Sequence, residues 1–306
     1  MEIVREKAYA KINLYLDVNS KLDNGYHDLM TIMQTVSLHD DVEIKFNRTG
    51  KINITCDNEI LNDDPENNLA YKAAKVFYKN LGFQMTFGVD IHIKKRIPLL
   101  AGLGGGSADA AAVLRGMNLL YGRTFRTADL YEMAHEIGAD VPFCVVGGAQ
   151  ICGGIGGPAM CYSGIKNYNL LIAIGGEKES TAEQFRRLDR MHNDFKGYAR
   201  SMGPGEVFRM QNSSEVGKSF SISKNIFEKL YDEESNVGKI KNIMMENGAY
   251  HAMLSGSGPA VFGVFPNFMC VEDAEEALRK ENITTYPCMP ISMPYDQLPT
   301  TLFEEN

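Results

Sequence analysis

The chain has 306 residues, room for about two domains of roughly 150 each, and a composition of 44% hydrophobic and 23% charged residues, as in an ordinary globular protein. Its 31 Lys and Arg against 39 Asp and Glu leave a formal net charge of −8, which argues against general affinity for nucleic acid or an anionic membrane surface. No apolar run is long enough to cross a membrane, no leader-like stretch stands at Met1–Ala10, and Cys56, Cys144, Cys152, Cys161, Cys270 and Cys288 form no CxxC pair, so a cytoplasmic protein with reduced thiols is expected.

In chain order, Lys11–Val18 alternates at period two, with Ile12, Leu14, Leu16 and Val18 on one side and Lys11, Asn13, Tyr15 and Asp17 on the other. That predicts a strand whose polar face is either catalytic or a solvent-facing edge. Asp23-Asn24-Gly25 signals a turn, followed directly by Tyr26-His27. Met30–Leu38, Asp40–Phe46 and Lys51–Cys56 read as separate strands, Leu69–Leu81 as a helix opened by Asn67-Asn68, and Val89–Lys95 as a strand.

The stretch Ile97–Asp109 begins as a glycine loop and ends as a helix. Gly104, Gly105 and Gly106 remove three β-carbons in a row, Ser107 is a good N-cap type, Asp109 adds a first-turn acid, and the Ala-rich run after it favours helix over Ala108–Tyr121. Unpaired N–H groups at a helix start beside a tight glycine turn form an anion site, so this stretch predicts a phosphate cradle. A packing-driven turn before a buried helix gives the same letters. It is neither a Walker A loop nor a Rossmann fingerprint, because no Gly-Lys-Ser/Thr follows and the glycines are consecutive.

Thr127 caps a helix over Ala128–Ile137, and Asp140 then sits between a helix end and Pro142, where an acid serves as a cap or as a functional group. Gly147-Gly148 and the glycines of Gly153–Gly157 suggest a flexible region. Asn169–Ile174 reads as a buried strand, with helices at Thr181–Asp189, Ile222–Tyr231 and Val237–Glu246 and a mobile loop over Lys196–Gln211. Leu254-Ser255-Gly256-Ser257-Gly258-Pro259 is a second Gly/Ser turn suited to anion contacts, running into a strand; Glu272–Glu281 is a helix, Thr284–Met289 a strand, and the tail from Ile291 carries no signal. A domain boundary is expected near Cys161–Asn167, giving units of 1–163 and 164–306.

Three separated motifs agree in order: Ala10–Leu14, Pro98–Ala112 and Leu254–Pro259. Together they resemble motifs of the GHMP small-molecule kinases. Asp23–His27, Leu103–Ser107, Gly138–Phe143 and Asn68-Leu69 followed by Ala73 resemble most the branch acting on a cytidine-diphospho-methylerythritol alcohol in non-mevalonate isoprenoid synthesis. The likeness covers most of residues 8–160 and 250–265.

The resemblance implies an α+β, two-domain fold with the active site between the domains, and an ATP-dependent kinase using Mg²⁺. It implies Lys11 and Asp140 as the catalytic pair. It places Asn68, Leu69, Lys95, Gly102, Gly104, Gly105, Gly106, Ser107 and Ala108 about the nucleotide, with Ser107 on the metal side. Asn13, Tyr26, His27, Phe185, Gly256 and Ser257 fall to the substrate, with Tyr26 stacking on cytosine, His27 bonding the base edge and Phe185 as a second aromatic over the base. A small-molecule partner is implied, with no nucleic acid or membrane, in a monomer or homodimer. The chain departs from the family pattern at Ala108, Gly157 and Gly175-Gly176, where a second Ser, a Glu and Val-Lys-Pro are usual. A kinase for homoserine, a mevalonate-type acid or a sugar, or a non-catalytic nucleotide-binding protein, would share the fold; Tyr26-His27 and the retained Lys11 and Asp140 are the features that discriminate.

Overall fold

The computed structural model describes residues 3–57, 65–82, 87–154, 157–162, 164–165, 168–176, 179–192, 223–292 and 295. Two long strands form its spine, β1 (Ile3–Lys21) and β2 (His27–Asn47), paired antiparallel over nearly their whole length. β2 is one strand where two were expected, and it is also bonded to β5 (Ala149–Gly154) over Leu29–Gln34 and to β4 (Gly88–Lys94) over Asp41–Asn47. β3 (Ile52–Cys56) adds parallel to β4, and β6 (Gly157–Tyr162) adds antiparallel to β5. Of the glycines expected to make a flexible region, Gly147 and Gly148 precede β5, and Gly153, Gly154 and Gly157 lie within β5 and β6. The tail, which carries no signal in the sequence, closes this sheet: β11 (Pro290-Ile291) pairs with Val36 and Thr35.

One face of the sheet is covered by α1 (Leu69–Leu81), α2 (Gly105–Leu120), α3 (Thr127–His135) and the short α4 (Val141–Val146). α1 has the bounds expected, because the Asn68 side chain accepts from Ala70 N–H at one end and Gly82 takes a left-handed φ of 73° at the other. A second, antiparallel sheet has the order β10-β7-β9-β8, with β7 (Asn169–Ile174), β8 (His251–Leu254), β9 (Ala260–Phe265) and β10 (Thr285–Cys288). The span Ala252–Phe265 is thus two strands joined by the Gly/Ser turn. In β7, Leu170 and Ile172 face the core of the first sheet, while Leu171 and Ala173 face a second core with α6 (Asn236–Glu246) and α7 (Phe268–Lys280), so both faces are buried and the strand is apolar throughout. α5 (Thr181–Met191) joins that second core through Leu188. Residues 226–230, expected as helix, form one tight 3₁₀ turn. The expected mobile loop at 196–211 lies outside the described residues.

β1 corrects the amphipathic reading. Ile12 and Leu14 enter the first core and Leu16 and Val18 the second, yet Lys11, Asn13 and Asp17 are also buried, at 4%, 3% and 1% exposure. Ladder irregularities between Tyr9 and Lys11 and between Asn13 and Tyr15 break the simple alternation. No solvent-facing edge exists along Lys11–Asp17, so its polar side chains must be partnered inside the protein. Cys56, Cys144, Cys152, Cys270 and Cys288 are free thiols, as expected; the Cys161 side chain lies outside the described residues.

Candidate active site

Lys11 and Asp140, far apart in sequence, meet with Nζ 3.6 Å from Oδ2. The Lys11 side chain is 5% exposed and that of Asp140 is 36% exposed, so an inward ammonium faces a carboxylate open to a ligand. Asp140 occupies the N-cap position of α4, yet its side chain caps no N–H; Pro142 at the helix start lacks the N–H that a cap would take. The carboxylate is thereby released to Lys11. Lys11 Nζ also donates to Asn13 Oδ1 at 2.7 Å, Asn13 Nδ2 donates to Thr31 Oγ1 at 2.8 Å, and that hydroxyl donates to the Tyr15 carbonyl at 2.7 Å. This chain fixes the direction of the ammonium.

The glycine loop is tied to the same residue. Where the β1–β2 ladder is irregular, Lys11 N–H donates to the Leu103 carbonyl at 2.9 Å. Helix α2 begins at Gly105, three residues earlier than a Ser107 cap requires, because Gly104 takes a left-handed φ of 70° that a serine would resist. No side chain caps this helix, so its first N–H groups stand ready for an anion, and Ser107 lies in the first turn. A β-carbon on Gly104 would lie 3.0 Å from Lys11 Cγ, whereas one on Gly106 would meet only Leu69 Cδ1 at 3.8 Å. Leu69, at the start of α1, thus lies beside the loop.

Two expected nucleotide contacts are used otherwise. Ala108 N–H donates to the Gly104 carbonyl and its methyl is buried. Lys95 Nζ, instead of reaching outward, is held by Asp40 Oδ2 at 2.5 Å and Asp109 Oδ2 at 2.6 Å in a buried cluster. Asp40 Oδ1 also accepts from Arg96 and Ile97 N–H, so the cluster pins the chain before the loop to the helix after it. Burial disfavours the Lys95 cation, but Asp109 and Asp40 outweigh it and its pKa is raised. Burial pushes Asp109 up, to about 7, with Lys95 opposing and Asp40 adding to the rise. Asp109 is therefore a cluster member rather than a first-turn helix acid.

Gly102 and Gly256 bring the second and third motifs into contact. A β-carbon on Gly102 would overlap the Ser255 carbonyl at 2.2 Å, Ser255 Oγ donates to the Gly102 carbonyl at 3.1 Å, and Ala260 N–H donates to that of Ala101. Gly102 thus packs against the third motif. The Gly256 carbonyl accepts from Asn225 Nδ2, and Ser257 Oγ lies 3.2 Å from Thr181 Oγ1 at the start of α5.

At the far end of β1 and β2, His27 is buried while Tyr26 is 66% exposed. Phe185, expected as a second aromatic over the base, stacks on the His27 ring, with centroids 4.4 Å apart and planes at 10°. Asp189 accepts from His27 Nε2 at 2.8 Å and from Lys21 Nζ at 2.7 Å. Burial alone would raise the Asp189 pKa, but these two donors lower it.

A family model described as the GHMP kinases N terminal domain matches residues 68–148, and one described as GHMP kinases C terminal matches residues 207–284. The 4-diphosphocytidyl-2-C-methyl-D-erythritol kinase of Caldicellulosiruptor saccharolyticus is 40% identical over 289 residues, 92% of this chain and 96% of that protein. The chain belongs to the GHMP kinases. The protein of the same name from Alkaliphilus metalliredigens is 36% identical, covering 91% of this chain and 93% of its own. A crystal structure of 4-(cytidine 5'-diphospho)-2C-methyl-D-erythritol kinase matches with a TM-score of 0.70 at 27% identity, over 94% of this chain and 99% of that one. The Methanococcus jannaschii mevalonate kinase shares the fold, with a TM-score of 0.72 at 17% identity over 95% and 98% of the two chains.

Within this GHMP kinase, sequence reasoning missed Thr31, Asp40 and Asp189. Thr31 and Asp40 are placed by the β1–β2 and β2–β4 pairings, and no local pattern announces either. Asp189 stands four residues after Phe185, a spacing that puts both on one face of a helix, and that signal was readable.

Proposed function

We propose that the chain transfers the γ-phosphoryl group of ATP to a hydroxyl of 4-diphosphocytidyl-2-C-methyl-D-erythritol, a step of non-mevalonate isoprenoid synthesis. The observation that carries the chemistry is Lys11 Nζ at 3.6 Å from a solvent-reachable Asp140 carboxylate, beside an uncapped helix start. Bound Mg²⁺–ATP supplies the phosphoryl group and neutralises part of the charge of transfer. No cluster of three or more acidic, His or Cys residues able to hold a metal occurs among the described residues, so Mg²⁺ fits as an ion carried on the phosphates beside Ser107 rather than in a protein cage.

Asp140 accepts the proton of the substrate hydroxyl. Lys11, aimed by Asn13 and Thr31, orients that carboxylate and offsets charge developing on the transferred group. Gly104–Gly106 and the first turn of α2 hold the phosphates, with Asn68 and Leu69 at the adenine side. Tyr26, His27 and Phe185 receive cytosine, Asn13 lies toward the erythritol end, and Gly256 and Ser257 face the diphosphate. Residues 1–163 and 164–306 act as two units with the site between them. Among the described residues no helix is long and apolar enough to cross a membrane, and we place the enzyme in the cytoplasm.

The test is ADP release with an acceptor panel. Turnover with the cytidylyl alcohol, none with homoserine, mevalonate or galactose, and loss of turnover in Asp140→Asn are expected. Turnover with one of the other alcohols, insensitive to added CMP, refutes the substrate and leaves the kinase chemistry standing.

A further inference from the structure

One guanidinium joins the three elements that carry Lys11, the glycine loop and Asp140. Arg115 stands on α2, the helix that the glycine loop opens, with a side chain 12% exposed. Its Nε donates to Glu6 Oε2 at 3.0 Å and its Nη2 to the Lys7 carbonyl at 3.2 Å, both on β1 ahead of Lys11. Its Nη1 donates to the Cys144 carbonyl of α4 at 2.8 Å, and Cys144 N–H donates in turn to the Asp140 carbonyl at 3.1 Å. The Cys144 carbonyl is one of the last four of α4, which have no N–H partner within their own helix. α4 spans six residues, and a helix that short takes its place from tertiary contacts. The tail covers this junction. The Tyr295 ring, four residues past β11, lies over the guanidinium with its centroid 3.9 Å from Cζ, and stacks on Tyr9 of β1 at 5.8 Å. One edge of the ring fits where Gly147, the C-cap of α4 with φ of 72°, has no side chain; a β-carbon there would overlap it.

We infer that Arg115 is a positioning residue for Asp140 and that Tyr295 seats it, so that a side chain of the tail sets how Asp140 meets Lys11. The inference rests on the proposed catalytic reading of Lys11 and Asp140. Lys11 arrives on β1 and Asp140 at the N-cap of α4, and the guanidinium is bonded to both elements at once. Its planar fork holds three donors at fixed angles, which the single ammonium of a lysine does not reproduce. A shift of α4 along β1 must therefore break one of these bonds. Removing the Tyr295 ring opens the guanidinium to water, which competes for its donors, and leaves room beside Gly147 for the end of α4 to move. Asp140 moves with that helix, because its carbonyl is bonded to Cys144 N–H. Both residues thus act on the reaction only through α4. The expected signature is a loss of kcat at nearly constant KM, and one that vanishes once the Asp140 carboxylate is gone.

The test is a double-mutant cycle read by ADP release from the full chain, well below each variant's Tm. Tyr295→Ala should lower kcat by about tenfold, a fraction of the hundredfold that a displacement of about 1 Å costs, with KM for ATP within about threefold. Tyr295→Phe keeps the ring over Arg115 and should restore kcat to within about twofold of wild type. In an Asp140→Asn background, Tyr295→Ala should lower the residual kcat by less than about twofold, because the group it positions is already lost. Arg115→Lys, which keeps the charge and loses the fork, carries the same cycle by a second route and should behave in the same way. A merely structural role would lower Tm and cost the same factor of kcat in both backgrounds. Equal losses in the two backgrounds, or an unchanged kcat in Tyr295→Ala, overturn the inference and leave the kinase reading intact. Near-normal kcat in Asp140→Asn alone overturns the catalytic reading, and this inference with it.

Discussion

Gly104→Ala separates the loop's role in seating the catalytic lysine from its role in folding. The residue has φ of 70°, a region that costs a non-glycine residue about 1–2 kcal/mol. In a protein of this size that cost lowers Tm by about 2–5 °C. The added methyl would also stand 3.0 Å from Lys11 Cγ and 3.3 Å from Cε, so the lysine chain must give way by a few tenths of an ångström or more. That shift acts on an ammonium held 2.7 Å from Asn13 Oδ1 and 3.6 Å from Asp140 Oδ2. A misplacement of about 1 Å at a reacting centre costs roughly a hundredfold in rate, so kcat should fall by about ten- to a hundredfold. The assay is steady-state ADP release well below the variant's Tm. Gly106→Ala is the matched control, because its methyl meets only Leu69 Cδ1 at 3.8 Å and its φ is not left-handed; it should change KM for ATP more than kcat. If Gly104→Ala loses a few degrees of Tm but keeps kcat within about threefold, the loop does not seat Lys11 and the reasoning fails.

Asp140→Asn keeps the side-chain shape and removes the proton acceptor, and should lower kcat by about a hundredfold or more while calorimetric ATP affinity barely changes. Tyr26→Ala removes an exposed ring, so Tm should hold while KM for the cytidylyl substrate rises by about fivefold or more; an unchanged KM removes Tyr26 from base binding. Asp109→Asn tests the buried cluster through pH. With its folded pKa raised to about 7, Asp109 contributes stability that is present below the unfolded pKa near 3.8 and is lost as pH rises through about 7. Wild type should therefore gain Tm relative to Asp109→Asn on going from pH 8 to pH 5, with a ceiling of about 3 kcal/mol over that range; a difference constant with pH contradicts the assignment.

Much of the fold was legible where the signal is local. α1 and β7 have the bounds read from the sequence, because a side-chain cap with a left-handed glycine in one case, and a wholly apolar run in the other, decide them. β2 was divided at His39, between Leu38 and Asp40, whereas the strand runs on through a buried Asp40 satisfied by Lys95 and two N–H groups from beyond another strand's end. The helix start was misplaced for a related reason: a serine is the better cap by propensity, but the backbone turn puts glycine at the cap, three residues earlier. For the candidate site, Lys11 and Asp140 were nameable only through a resemblance, and their meeting is a tertiary fact. Lys95 was read as a phosphate ligand because a cation before a glycine loop has no visible partner; Asp40 and Asp109 arrive from elsewhere in the chain. Asp189 was readable from its spacing to Phe185 and was passed over, since a lone acid near a helix end reads as solvated surface.

The most direct test of the central claim is the fate of phosphorus. Wild-type protein, ATP, Mg²⁺ and 4-diphosphocytidyl-2-C-methyl-D-erythritol are incubated and followed by phosphorus NMR. The account predicts one new phosphomonoester on the acceptor for each ADP formed, with the cytidylyl diphosphate bridge intact, and no monoester in Asp140→Asn. ATP consumed with release of inorganic phosphate and an unmodified acceptor would contradict it.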